Sequence, residues 1–417
     1  MKPSRPLYLV LGSIAFVGWL LFILACTGWP AWSPDSTKIL FPYIDQKADA
    51  SAIALYDRQK KTLTTIYRGP DHSPSDTLPA AAQWTKDGKQ MLVFQGFEDN
   101  DRATLQILGI PATGKFPIHS VTLFSDGLAD LPPFAEANGS LYLALKEIVA
   151  LDLTTWEVRK KSLDKKMAML FAVGDRVMYM MGPPKDDEQT SAAQETSKQQ
   201  TETTQAEKKP APEPLEFGEL DQKDLSQHPW FTVTNQQIAE FAKCDTPHLN
   251  RPVGEAGSER IAFTLSCIGK PDAILFADKR GLQQVVQLKA EGNLKLTLPQ
   301  FSQDGKTLYA GIYFPTGNSE KGPYAIAEVD LASGKMRQIP ITKLLVSDDD
   351  YRGFMRVSVS PDGSKLATTT ALVTADTDID GNDLALFIVD LQDPKRPVTK
   401  IHPPNWEAPK ASEKKTP

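Results

Sequence analysis

Asp376-Thr377-Asp378-Ile379-Asp380-Gly381-Asn382 is the stretch whose residue types and spacing come nearest to a recognisable chemistry. Alternate carboxylates followed by glycine form the first half of an EF-hand-type calcium loop, where the side chains converge on one cation and the glycine permits a sharp bend. The twelfth position of such a loop is a bidentate glutamate, whereas the twelfth residue here is Phe387. Two readings follow. One is a partial Ca2+ site built from Asp376, Asp378, Asp380 and Asn382, completed by Asp383 or by the run Asp348-Asp349-Asp350. Such an incomplete site would suit calcium at roughly millimolar concentration, as found outside cells. The other is a polar turn joining two strands.

Other reactive constellations are missing from the sequence. His72, His119, His228, His248 and His402 are scattered, with no H-E-x-x-H pair at ligand spacing. There is no G-x-S-x-G nucleophile elbow, no phosphate-binding loop and no dinucleotide fingerprint. Lys+Arg number 46 against 52 Asp+Glu, a net charge of -6, and no dense basic run could track a phosphate backbone, which argues against nucleic acid as a partner. Of three cysteines, Cys244 and Cys267 lie deep in the chain. A disulfide between them and two buried free thiols are both compatible with the sequence, because spacing does not define connectivity.

The third cysteine, Cys26, bears on location. Lys2 and Arg5 precede an uncharged run from Leu7 to Ala25, and this polarity leaves the N-terminus in the cytoplasm and the rest of the chain outside. About 20 apolar residues suffice to span a bilayer as a helix. Ile23-Leu24-Ala25-Cys26 also resembles a bacterial lipobox, in which the cysteine is lipidated after cleavage. An uncleaved anchor and a lipoprotein signal over 1–26 are therefore both open. Each predicts a membrane-attached protein with its folded part on the periplasmic side.

These residues need a scaffold, and its grammar repeats. WSPDS near Asp35, WTKDGKQMLVF near Asp87, FSQDGKTLYAGIYF near Asp304 and VSVSPDGSKLATTT near Asp362 each read as strand, tight turn, alternating strand. Fainter copies surround Asn138, Asp175 and Glu259. Hairpins such as ALYDRQKKTLTTI and AIAEVDLASGKMRQI follow most turns. Aspartate caps the local backbone and glycine accepts φ > 0, which suits both residues to tight turns. Units of four strands, recurring at about 40 to 60 residues, predict an all-β protein: a β-propeller of seven four-stranded antiparallel blades over 29–405.

The turn S-P-D-G, the alternating strand after it and the D-L-x-x-G-K hairpin resemble the TolB-like family of bacterial propeller repeats. The residues that carry the resemblance are Trp32 to Asp35, Trp84 to Gly88, Phe301 to Gly305, Asp330 to Lys335 and Val359 to Gly363. The resemblance implies a propeller of the cell envelope used for binding or scaffolding, a fold that also gates some peptidases. At Trp32 and Trp84, the repeated position before the turn implies packing between blades.

From 183 to 229 the periodicity stops, and a segment rich in Gln, Thr, Glu, Lys and Pro predicts a disordered insertion within one blade. The segment WFTVTNQQIAEFAKC after it is read as that blade's second strand pair, and 406–417 as a disordered tail. The expected function is non-catalytic binding of another envelope protein or a peptide. The alternatives are an enzyme with carboxylates of several blades meeting at the central channel, and a calcium-responsive sensor.

Overall fold

A computed structural model of the chain describes residues 30–45, 48, 50–69, 81–99, 102–114, 116–125, 134–163, 167–182, 214–244, 246–249, 252–254, 258–267, 270–288, 294–296, 299–313, 325–341, 356–370 and 385–404. They form seven antiparallel sheets, each built from consecutive strands. Blade 1 holds β1 (Ala31–Trp32), β2 (Lys38–Asp45), β3 (Ala50–Asp57) and β4 (Thr62–Arg68). Blade 2 holds β5 (Ala81–Trp84), β6 (Gln90–Asp99), β7 (Arg102–Pro111) and β8 (His119–Ser125). Blade 3 holds β9 (Phe134–Ala137), β10 (Ser140–Ala144), β11 (Glu147–Asp152) and β12 (Val158–Ser162). Blade 4 holds β13 (Met167–Val173), β14 (Arg176–Met181), β15 (Leu215–Leu220) and β16 (Gln227–Val233), and helix α1 (Asn235–Ala242) follows it.

The first strand of blades 5 and 6 is broken in two. Blade 5 has β17 (His248–Leu249) and β18 (Val253–Gly254), both paired to β19 (Ile261–Ser266), then β20 (Ala273–Asp278) and β21 (Gly281–Gln287). Blade 6 has β22 (Lys295–Leu296) and β23 (Gln300–Phe301), both paired to β24 (Thr307–Tyr313), then β25 (Ala325–Asp330) and β26 (Met336–Pro340). Blade 7 closes the chain with β27 (Arg356–Val359), β28 (Lys365–Thr370), β29 (Ala385–Asp390) and β30 (Val398–Ile401). The protein is a seven-bladed β-propeller.

The middle strands are apolar on both sides because both sides are covered. In β2, Ile39 and Phe41 pack with Ala367 and Leu386 of blade 7, while Leu40 between them packs with Trp84 and Val93 of blade 2. Trp32 and Trp84 are both 7% exposed and lie in these two seams. Comparable clusters fill the seams between the other neighbouring blades.

In blades 1, 2, 6 and 7 the turn between the first two strands is fixed by one repeated hydrogen-bond pattern. Ser33, Thr85, Ser302 and Ser360 donate their hydroxyls to Asp35, Asp87, Asp304 and Asp362 at 2.6, 2.7, 2.7 and 2.6 Å. The same carboxylates accept the backbone N–H two residues further on, at 2.9 to 3.1 Å. The residue after the aspartate has positive φ, and in three of the four turns it is glycine: Gly88, Gly305 and Gly363. In blade 1 it is Ser36, at φ 60°.

Ser36 does what glycine would not. It is buried, and its Oγ accepts the N–H of Asp362 in blade 7 at 3.1 Å. Its carbonyl accepts from Arg58 at 2.6 Å, and Trp32 Nε1 donates to the Ser358 carbonyl at 2.8 Å. The ring therefore closes by side-chain packing and by the two hydrogen bonds from Asp362 N to Ser36 and from Trp32 to Ser358, with no strand exchanged between the described residues of blades 1 and 7. Each buried Ile, Leu or Phe of the seam contributes about 2 kcal/mol and each hydrogen bond about 1, so packing drives closure and the hydrogen bonds set its register.

Two expectations need correction. The strands β15 and β16 occupy residues assigned above to a disordered insertion reaching 229. Phe217 and Leu220 of L-E-F-G-E-L are buried, and a side chain at Gly218 would fall within 2.5 Å of Tyr179 and the His228 carbonyl. A short strand that buries two large side chains is hidden when composition is averaged with Pro- and Glu-rich neighbours. Second, the stretch read as a strand pair is the end of β16 followed by α1. Thr234 caps the helix, its side chain accepting from Gln237 N at 3.1 Å while Gln237 Oε1 accepts from Thr234 N at 2.8 Å. This capping box outweighs any strand pattern.

Replacing Ser36 by alanine should lower stability by about 1–2 kcal/mol, through loss of the closure hydrogen bond with the left-handed backbone retained. Ser36→Gly relieves that backbone and should be the milder change. Urea unfolding midpoints of the two variants test this ordering. Hydrogen bonds from the Ser33 hydroxyl, the Ser302 hydroxyl, the Thr155 N–H and the Ser333 hydroxyl hold the Asp35, Asp304, Asp152 and Asp330 carboxyls below the usual carboxylate range. Depressed values give stability that is complete above about pH 4 and lost as pH falls through the folded-state values. Melting temperature should therefore drop, with uptake of several protons on unfolding, as pH falls below about 4.

Candidate binding face

Alternating strand direction sorts every connection onto one of two ends of the ring. Turns between first and second strands, and between third and fourth, share one end: 33–37, 85–89, 302–306 and 360–364 with 58–61, 153–157 and 331–335. Connections between second and third strands, and between blades, leave from the other: 69–80, 182–214, 314–324, 341–355 and 371–384. One end is thus composed of tight turns and the other carries the long connections.

Side chains on the tight-turn end bond mainly to one another. Lys86 Nζ donates to the Gly174 carbonyl at 2.7 Å and pairs with Asp175 at 3.2 Å. Asn138 and Gln222 hydrogen-bond to each other at 2.9 Å and both donate to the Asp175 carbonyl. Arg159 donates to the carbonyls of Lys223 and Gln222, and Arg176 pairs with Glu259 while lying over Trp230. Trp156 packs on Gly109 and stacks on His119 at 4.8 Å. These contacts join blades 2 to 5.

Glu136 is the only carboxylate among the described residues of the innermost strands. Burial pushes its carboxyl above the ordinary range, against a 2.7 Å hydrogen bond from Lys86 N. The carboxylate nearest it in charge effect is Asp87, whose side chain is already held by Thr85 and Lys89 in its own turn. Those residues also contain no group of three or more His, Cys, Asp or Glu side chains able to hold a metal ion.

The long-connection end has fixed points. Cys244, at the end of α1, is joined to Cys267 of blade 5, with Cα atoms 5.7 Å apart. Both half-cystines are buried in the seam between blades 4 and 5. Beside them lies an ion pair out of solvent: Lys295 Nζ donates to Asp272 Oδ1 at 2.9 Å and to the Cys267 and Lys270 carbonyls at 3.1 and 3.2 Å. Asp272 Oδ2 accepts Leu296 N at 2.8 Å. Burial raises the Asp272 carboxyl in spite of these hydrogen bonds. Across the ring, Arg68 pairs with buried Asp45.

Among the candidates read from the sequence, the structure brings Cys244 and Cys267 together. Asp376, Asp378, Asp380 and Asn382 lie outside the described residues, as do Cys26 and the run 7–25. Among the described residues no helix is long and apolar enough to cross a membrane. Sequence reasoning missed Asp272 and Lys295. The one visible signal was a lone lysine between the leucines of NLKLTL.

No protein-family model and no curated protein matches the chain. Solved structures resemble it in fold. A chain of a mitotic checkpoint complex aligns with TM-score 0.49 and 12% identity over 85% of this chain and 88% of that one. TolB from Acinetobacter baumannii aligns with TM-score 0.41 and 13% identity over 73% of this chain and 64% of that one. A putative 6-phosphogluconolactonase from Bacteroides uniformis ATCC 8492 aligns with TM-score 0.47 and 10% identity over 88% and 96%.

Asp272→Ala strands the Lys295 ammonium in the interior and should destabilise the protein by about 3–5 kcal/mol. An Asp272→Leu, Lys295→Met double variant should lose much less, since an apolar pair of similar volume removes both charges together. Denaturant unfolding of the three variants tests this.

Proposed function

We propose that this chain is a membrane-attached, extracytoplasmic propeller that binds or scaffolds another envelope protein, or a peptide, through its long-connection end. The observation that carries the reading is the contrast between the two ends. At the tight-turn end, carboxylates cap their own backbones and basic side chains bond to neighbouring blades, so the charged side chains there are largely engaged within the ring. At the other end a rigid ring presents long, dissimilar connections. This division is the usual basis of recognition by loops on a fixed scaffold.

The Cys244–Cys267 disulfide supports an oxidising compartment. The uncharged run 7–25 behind a positive flank supports attachment to the cytoplasmic membrane or, if Cys26 is lipidated, to a lipid surface. The acidic stretches 348–350 and 376–383 favour a basic or cation-bridged partner. The likeness of the S-P-D-G repeats to the TolB-like family agrees with a binding role in the envelope.

The test is crosslinking of the full-length protein in native membranes, followed by identification of what it captures. The wild type is compared with a variant lacking 186–212, a variant with 371–384 replaced by a short turn, and a tight-turn-end variant, Phe116→Ser with Ile118→Ser. One partner should be retained by the last and lost or weakened about ten-fold by at least one of the first two. Capture that is unaffected by both loop variants, or no specific capture at all, would refute the reading.

A further inference from the structure

The chain enters the ring almost as soon as its apolar run ends. Ala25 closes the uncharged run, and β1 begins at Ala31 on the long-connection end. A fully extended chain covers at most about 3.6 Å per residue, so this end of blade 1 stands within roughly 20 Å of the end of the run. A tether at one blade acts as a hinge. What lies across the ring determines whether the face settles on the bilayer.

Across from blade 1, between blades 4 and 5, is α1. Ile238 and Ala242 bury its inner side, the Thr234–Gln237 capping box fixes its start, and Cys244 ties its end to Cys267. Phe241 is nevertheless 43% exposed. Exposed Lys243 follows it, and exposed Lys270 donates its Nζ to the Lys243 carbonyl at 2.9 Å. Phe241 is thus an exposed aromatic on a short helix fixed at both ends, with exposed Glu240 before it and the lysines 243 and 270 gathered at the helix's C-terminal end. A ring for the headgroup region and ammonium groups for phosphates are the side-chain chemistry of an interfacial contact.

We infer that this corner, Phe241 with Lys243 and Lys270, rests on the lipid surface as a second point of attachment and holds the long-connection end toward the membrane. The inference depends on the membrane-attached reading above. One phenylalanine and two lysines bind a bilayer weakly on their own, but the N-terminal segment keeps them at high effective concentration. Hydrophobicity alone would select another site, because Phe116 and Ile118 are 79% and 61% exposed. These two lie on the tight-turn end, and the tether places that end away from the bilayer.

The experiment sets these two sites against each other. Full-length protein is reconstituted into phosphatidylcholine–phosphatidylglycerol vesicles with the photoreactive p-benzoylphenylalanine in place of Phe241 in one preparation and of Phe116 in another. Thermal unfolding first establishes that each variant is folded. After irradiation, lipid adducts at 241 should exceed those at 116 by about ten-fold, and Lys243→Glu should reduce them. Equal or greater labelling at 116, or no adduct at 241 in protein that stays on vesicles through a carbonate wash, overturns the inference and leaves the anchor intact. Protein that never associates with vesicles overturns the anchor reading, and the inference falls with it.

Discussion

Ile39 and Leu40 are chain neighbours, both fully buried, and they face different blades. That arrangement recurs through the second and third strands of the ring, and the rest of the structure depends on it. A blade is a twisted sheet with two apolar sides, and neither can be left in water. Because each seam is shared, no blade has a complete core of its own. Covering every side requires that the series of sheets close on itself.

Closure raises a problem that packing alone does not solve. Apolar seams tolerate sliding, whereas a ring of seven needs its first and last blades at one height. The repeated Ser/Thr–Asp turn supplies a reference in blades 1, 2, 6 and 7, the blades at and beside the final seam, fixing where their innermost strands end. At the final seam the positive-φ position becomes a joint, where Ser36 and Trp32 of blade 1 bond to the backbone of Asp362 and Ser358 in blade 7. The serine carries a backbone strain that glycine would avoid, and it adds a hydrogen bond that glycine lacks.

The same turns divide the two ends of the molecule. Aspartates occupied by their own backbones are weak candidates for chemistry, and basic side chains between blades 2 and 5 are engaged by neighbouring carbonyls and carboxylates. The long-connection end is instead pinned at a few buried points: Asp45 with Arg68, Asp272 with Lys295, and the disulfide beside α1. Buried ion pairs add little net stability over an apolar pair of similar volume. Their effect here is geometric, holding strand ends and loop bases where the long connections depart.

The architecture was legible in the sequence wherever its cause is local. Turn residues act on their own backbone, so S-P-D-S, S-Q-D-G and S-P-D-G announce strand ends at Asp35, Asp304 and Asp362, D-L-A-S-G-K announces one at Asp330, and four clear and three fainter units announce the ring. The packing of Trp32 and Trp84 was legible because both precede the same turn. Local composition failed at 215–229, where Phe217 and Leu220 gain their meaning from Tyr179 and blade 5, and at Asn235–Ala242, where a capping box outweighed an apparent strand. The union of Cys244 with Cys267, the pairing of Asp272 with Lys295 and the joint at Ser36 belong to tertiary structure alone. Each joins residues from separate turns or separate blades, and no residue's own type or its neighbours in sequence specify which distant surface will be folded against it.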